Sequence, residues 1–279
     1  MKLHFTKMHG AGNDFILIDD RALSTPWEDY QLMSAIAARR TGIGCEGIIL
    51  VQPSDKADFR MRFLNPDGTE VELCGNGARC VAEFARSLGI VHKSMTMETM
   101  AGLVDAEIVD NGVKIWMPDP SAKRYGMELT IPQGVFKGHA VSIGCPHFVV
   151  PMPLDELESL DVATIGAALR MHEAFSPEGT NVDFVSYIKP NRIRIRTFER
   201  GVEAESGACG TGAVAAAVVG VEVEGFTMPV KLSTTSGFTL SVDGDWRSGK
   251  CTGLTLLGPT RKVFEGDIDL DSVDGAQDF

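Results

Sequence analysis

Two short strings in this chain join a thiol to a turn of exposed backbone. Cys74-Gly75-Asn76-Gly77-Ala78 and Cys209-Gly210-Thr211-Gly212-Ala213 each set a cysteine ahead of two spaced glycines and a run of small, helix-forming residues. At a helix N-terminus the first N–H groups have no intrahelical partner, and about half a positive charge gathers there. A thiol in that place, with an ordinary pKa of about 8.5, is drawn toward the thiolate. The glycines let backbone N–H groups close on a bound anion. Each string therefore reads as a reactive sulfur and a carboxylate cradle in one turn. Taken singly, either cysteine reads more readily as a small buried hydrophobe.

The pair is more telling than either member, because it belongs to an internal repeat. The cysteines lie 135 positions apart, and Thr197-Phe198-Glu199-Arg200-Gly201 precedes the second as Phe63-Leu64-Asn65-Pro66-Asp67-Gly68 precedes the first. Gly10-Ala11-Gly12-Asn13-Asp14-Phe15 matches 142–148 at an offset of 133. One design used twice brings two helix N-termini, each with its thiol, to face one another. One thiolate then removes a proton from a stereocentre while the other thiol delivers a proton to the opposite face, which is racemisation or epimerisation by two-base catalysis. Both helix ends stabilise the enolate-like charge on the α-carboxylate. That logic requires no cofactor. Gly10-Ala11-Gly12 lacks the third glycine of a dinucleotide fingerprint and precedes a strand.

The elements that hold these strings follow from pattern. Residues 15–18, 47–51 and 59–64 read as strands, with counterparts at 147–150, 181–188 and 192–198. The last alternates Arg192-Ile193-Arg194-Ile195-Arg196, one face wet and one buried. Residues 28–39 and 155–171 read as amphipathic helices. The helix after Cys209 has no polar face over 213–219, so protein must surround it. The helix over 78–88 keeps Arg79, Glu83 and Arg86 and stops at Gly89. Further short strands over 95–99, 113–117, 230–232, 238–242 and 254–256 supply the wrapping. The expected fold is α/β, α+β-like: two pseudo-symmetric domains, each a mixed or antiparallel sheet curled around a central helix, with the active site in the interdomain cleft. The halves part near Pro118-Asp119-Pro120.

Composition bounds the function further. The 279 residues carry 26 basic and 38 acidic side chains, a net charge of −12. Phosphate binding needs a basic stripe, so a nucleic-acid partner is not expected. The longest apolar run, residues 212–221, is far short of the roughly 20 needed to cross a bilayer, and the first residues lack a signal peptide's apolar core. Six scattered cysteines fit free thiols in a reducing cytosol. Cys74 and Cys80 lack zinc-ligand spacing, so no metal site is expected.

The strings 9–15, 65–80 and 199–213 resemble the diaminopimelate epimerases, and the likeness runs from residue 4 to Gly258-Pro259 and beyond. The resemblance implies a pyridoxal-independent isomerase that interconverts LL- and meso-2,6-diaminopimelate in lysine and peptidoglycan precursor biosynthesis. It implies a cytoplasmic homodimer with the last strand returning to the first domain, giving domains of 1–119 with 262–279, and 120–261. It assigns Cys74 and Cys209 as the acid–base pair, with Cys209 as acceptor and Cys74 as donor in the LL-to-meso direction. Gly75, Asn76, Gly210 and Thr211 become backbone donors to the reacting carboxylate. Asn13, Asn65, Asn181 and Arg200 hold the substrate, Glu199 faces its distal ammonium, and His147 and Glu199 tune the thiols. Such a clamp suits a substrate with a second amino-acid end. Taken alone, Asn65 also fits a turn former, and His147 a simple hydrogen-bonded histidine.

The sequence departs from the family pattern at Cys145, where many relatives have Asn, and at Gly47, where some have Gln. The segment 202–207 is one residue longer than the shorter family form. Alternatives are a pyridoxal-independent racemase of another amino acid, such as lysine or histidine, and a cysteine-dependent hydrolase using a histidine such as His147.

Overall fold

The computed structural model describes residues 2–247 and 249–273. These fall into two compact units, one drawn from 1–115 and 258–279 and the other from 116–257. The first unit contains β1 (Lys2–Gly10), β2 (Asn13–Asp19), α1 (Tyr30–Ala37), β3 (Ile48–Gln52), β4 (Phe59–Leu64), β5 (Glu70–Val71), α2 (Gly75–Ser87), β6 (Ser94–Thr99), β7 (Gly102–Val109) and β8 (Gly112–Trp116). The second contains β9 (Ser121–Ile131), β10 (Gly134–Ser142), β11 (Pro146–Pro151), α3 (Leu154–Ser159), α4 (Val162–Arg170), β12 (Asn181–Ile188), β13 (Arg192–Glu199), β14 (Ala204–Ser206), α5 (Gly210–Glu222), β15 (Val230–Ser233), β16 (Thr239–Arg247) and β17 (Lys250–Gly258). The chain then returns to the first unit with β18 (Thr260–Asp269).

Strand pairing repeats from unit to unit. In the second, β9–β10 and β10–β11 are antiparallel, β11–β12 parallel, β12–β13 antiparallel, β13–β15 parallel, and β15–β16–β17 antiparallel. In the first, the series β18–β1–β2–β3–β4–β6–β7–β8 runs through the same senses. The two-residue β5 sits on β4 as β14 sits on β13. The C-terminal strand β18 thus fills in the first unit the place that β9 fills in the second. Without it β1 would present an unpaired edge.

Each sheet wraps a helix. α2 packs against β18, β1, β2, β3, β4 and β7, and α5 against β10, β11, β12, β13 and β16. Every residue of α5 from Gly212 to Val221 is buried, as its lack of a polar face requires. α2 leaves Arg86 and Ser87 exposed, and Gly89 follows it at φ +73°. Strand β3 is buried along its whole length and β12 over 181–186, so both are covered on both faces, which explains the apolar run of β3. In β13, Ile193 and Ile195 are buried while Arg192 is exposed.

Two helices differ from the sequence reading. The expected helix over 155–171 is broken into α3 and α4. Leu160 is extended at φ −66° and ψ 134°, and the Asp161 carboxylate accepts from Thr164 N, starting a new helix. α1 is shorter than 28–39 because Asp29 caps it, accepting from Leu32 N at 3.0 Å. No described helix is long and apolar enough to cross a membrane.

Candidate active site

In the second unit the chemistry gathers under the start of α5. Cys209 is the N-cap of that helix, with extended backbone at φ −101° and ψ 117°, and its sulfur accepts from Gly212 N at 3.4 Å. Thr211 Oγ1 lies 3.5 Å from Cys209 Sγ and 3.6 Å from Cys145 Sγ, so the hydroxyl stands between two thiols. Cys145 Sγ is in turn 3.3 Å from His147 Nε2, and His147 Nδ1 donates to Asp183 Oδ2 at 2.7 Å. Asp183 Oδ1 accepts from Thr197 Oγ1 at 2.8 Å. His147, Asp183 and Thr197 are buried, whereas Cys145 is partly exposed. The helix rests directly on this array: a Cβ on Gly212 would lie 2.2 Å from Asp183 Oδ1.

Asn181 braces the outer end of the same unit. Its Oδ1 accepts from Arg200 N at 2.8 Å, and its Nδ2 donates to Pro146 O at 3.0 Å. Arg200 and Glu199 stand half-buried at the end of β13.

In the first unit Cys74 caps α2 at φ −124° and ψ 118°, half-buried. Asn76 is buried, and its Oδ1 accepts from Arg79 Nη2 at 2.5 Å. Arg79 is fully buried, its Nη1 donates to Gly75 O at 3.3 Å, and its Nε has no hydrogen-bond partner. A cation is therefore held inside the first turn of α2. The β1–β2 hairpin abuts that turn, since a Cβ on Gly10 would lie 2.6 Å from Asn76 O. Asn13, opposite Gly10 in the hairpin, has a buried Oδ1 without a partner, an acceptor suited to an ammonium. Asn65 is half-buried and forms a turn, accepting from Gly68 N and donating its own N–H to Thr69 O. At Gly47 a Cβ would strike the Phe63 ring at 2.4 Å, so no side chain fits there without displacing Phe63.

The two units differ at one register place. Asp183 pairs with Thr197 where the first unit pairs Ile49 with Phe63. Gly77, like Gly212, packs on that place, and there it meets the Ile49 methyl instead of a carboxylate. Among the described residues, the second unit sets an ionic pair, His147 and Asp183, beneath its central helix where the first unit sets Ile49 and Phe63.

The electrostatics follow from burial and charge. Burial pulls the His147 pKa down, but the Asp183 carboxylate at its Nδ1 and Cys145 at its Nε2 raise it to about 10. Cys145 is pushed up by burial and pulled further down by the His147 hydrogen bond and charge, Thr211 and Arg200, so its net shift is downward. Cys209 goes the other way. Burial, Glu199 and Asp183 hold it well above an ordinary thiol, and together they outweigh the Thr211 hydrogen bond that lowers it. The sulfur His147 addresses directly is that of Cys145.

A profile of the diaminopimelate epimerase family matches residues 5–123 and 139–251. The chain belongs to that family. It is 40% identical over 279 residues to the diaminopimelate epimerase of Aquifex aeolicus, covering 95% of this chain and 97% of that one. It is 39% identical to the diaminopimelate epimerase of a Hydrogenobaculum species, covering 94% and 96%. Among solved structures, a Bacillus anthracis phenazine biosynthesis protein of the PhzF family superposes with a TM-score of 0.75 at 19% identity, covering 96% and 99%. A probable proline racemase from Agrobacterium radiobacter K84 superposes at 0.73 and 19% identity, covering 98% and 94%. These structural likenesses carry the fold: two sheet-wrapped helices in one chain.

Sequence reading of this diaminopimelate epimerase family member missed Asp183, Thr197 and Arg79 as parts of the site. Asp183 had a signal, a lone carboxylate inside the apolar run of 181–188. Buried charge in such a strand demands a partner. Arg79 had none, because an arginine in a partly polar helix reads as a solvated one.

Proposed function

We propose that this protein interconverts LL- and meso-2,6-diaminopimelate by moving the proton at one α-carbon, with Cys74 and Cys209 as the two bases. The observation that carries this reading is the duplicated helix start: α2 and α5 are each capped by a cysteine in extended conformation. One lobe, 1–119 with 262–279, contributes Cys74 and the other, 120–261, contributes Cys209. In the LL-to-meso direction Cys209 accepts the proton and Cys74 donates one to the opposite face. The backbone N–H groups of Gly75, Asn76, Gly210 and Thr211 receive the reacting carboxylate and stabilise the charge it gains. Asn13 Oδ1 accepts from substrate. At the distal end the Arg200 guanidinium and Asn65 meet the second carboxylate and Glu199 the second ammonium, while Asn181 holds the Arg200 backbone in place. The two thiols supply both proton-transfer groups, so the reaction runs without a cofactor. Such an enzyme serves lysine and peptidoglycan precursor synthesis in the cytoplasm, and acts as a homodimer.

The test is incubation with LL-diaminopimelate in deuterated water. We expect meso product carrying deuterium at one α-carbon, and loss of interconversion in both Cys74→Ser and Cys209→Ser. A hydrolase would leave the α-hydrogen in place, and a racemase of another amino acid would leave diaminopimelate unchanged.

A further inference from the structure

Cys145 is a second thiol beside the start of α5, 3.6 Å from Thr211 Oγ1, and the roles above do not use it. It sits at the end of a hydrogen-bonded line, Cys145 Sγ to His147 Nε2 at 3.3 Å and His147 Nδ1 to Asp183 Oδ2 at 2.7 Å, with Thr197 Oγ1 donating to Asp183 Oδ1 at 2.8 Å. A nucleophile, a base and a group that orients the base are the parts of an activated cysteine. Each step of the line is fixed by the fold. His147 stands on β11, Asp183 on the parallel neighbour β12, and Thr197 directly opposite Asp183 on β13. The buried carboxylate holds the imidazole by Nδ1 and turns Nε2 toward sulfur. Two polar groups also lie 3.6 Å from that sulfur, Thr211 Oγ1 and Asn181 Nδ2, both able to donate to a thiolate. Cys145 and Cys74 are partly exposed residues, while Cys45, Cys80, Cys209 and Cys251 are buried.

We infer that Cys145, set on the His147–Asp183 pair, is a nucleophilic modification site that reacts with soft electrophiles such as alkyl halides and hydroperoxides. With iodoacetamide the S–C bond forms as C–I breaks, and iodide leaves. With hydrogen peroxide the sulfur attacks one oxygen and an S–O bond forms as O–O breaks. Sulfur is oxidised to the sulfenic acid, the peroxide is reduced, and the His147 proton converts the departing hydroxide to water. The charged and titratable groups facing the thiol are His147 on β11, Asp183 behind it on β12, Arg200 after β13, and Cys209 at the start of α5, itself facing Glu199. The balance favours the thiolate, since the imidazolium is the group in contact and Arg200 adds to it.

The magnitude follows from thiolate fraction. A thiol of ordinary pKa is only a few per cent ionised at pH 7, whereas an ion-paired one is largely ionised. Its lower basicity gives back part of that gain, leaving a rate roughly tenfold higher. The experiment is brief iodoacetamide labelling of the substrate-free full chain, with each cysteine peptide followed by mass spectrometry between about pH 5 and pH 10. We expect Cys145 to label first, with a midpoint below that of an ordinary thiol. Asp183→Asn should slow it about tenfold without changing the rate at Cys74. Thr197→Val, which leaves the carboxylate in place, should give a smaller slowing, and decides the matter should Asp183→Asn fail to fold. The inference is overturned if Cys145 labels more slowly than Cys209 or follows an ordinary curve centred near pH 8.5. It is equally overturned if labelling is unchanged by both variants. The readout involves neither substrate nor turnover, so it stands or falls apart from the epimerase reading.

Discussion

Replacing Asp183 by asparagine tests the buried array at its centre. The carboxylate is fully buried, and its two oxygens accept from His147 Nδ1 and Thr197 Oγ1. Asparagine keeps the shape and removes the charge. Burial lowers the His147 pKa, but Asp183, with a smaller part from Cys145, raises it from 6.5 to about 10. A folded pKa above the unfolded one gives stabilisation that is complete below pH 6.5 and lost as pH rises through about 10. At about 1.4 kcal/mol per pKa unit the whole stabilisation, the part from Cys145 included, is of order 4–5 kcal/mol. Breaking a buried pair by removing one partner costs about 3–5 kcal/mol by an independent route. Cys145, shifted downward, titrates in the opposite sense, its contribution appearing only as pH rises. The comparison is therefore made in a Cys145→Ser background. Urea unfolding near pH 6 should show Asp183→Asn destabilised by about 3–5 kcal/mol. Above pH 10, with His147 neutral in both proteins, the difference should fall to the roughly 1–2 kcal/mol of lost hydrogen bonding. An equal loss at both pH values would refute the ionic account and leave only a change of packing.

Other perturbations follow from the same geometry. Gly212→Ala would set a Cβ 2.2 Å from Asp183 Oδ1; it should cost about 1–3 kcal/mol by denaturation and displace the α5 start, lowering kcat/KM. Arg79→Met removes a buried cation that has no carboxylate partner among the described residues. Stability should change little, because the desolvation cost of the charge vanishes while the buried Asn76 Oδ1 loses this donor. Turnover should nevertheless fall about tenfold as Asn76 loses its donor and Cys74 a nearby positive charge. Cys209, held in its thiol form by burial and two carboxylates, should resist alkylation in the substrate-free protein at every pH below about 9.

Much of the fold was legible because it is written twice. The repeat located both central helices, and the featureless 213–219 segment required enclosure, which α5 has. The repeat of pairing senses, including β18 in the place of β9, lay beyond local pattern, since a strand's partner is a property of the whole chain. The break at Leu160-Asp161 was hidden because apolar spacing continues through it while a single cap restarts the helix. At the site, residue types and the repeat pointed to the two cysteines, while the polar clamp was suggested by the family resemblance. The direction of the Cys209 shift was not readable, because it is set by burial and then by Glu199 and Asp183, which approach through the fold. Nor did sequence show that His147 would meet Cys145: Asp183, 36 positions away on the neighbouring strand, fixes the ring.

The central claim is that two different thiols handle one carbon. Mass spectrometry of the first few per cent of turnover of LL-diaminopimelate in deuterated water tests it most directly. Separate acceptor and donor predict meso product carrying solvent deuterium from the first turnovers, while the remaining LL substrate stays unlabelled. Early product that retains the original hydrogen would mean that a single group both takes and returns the proton, and would contradict the account.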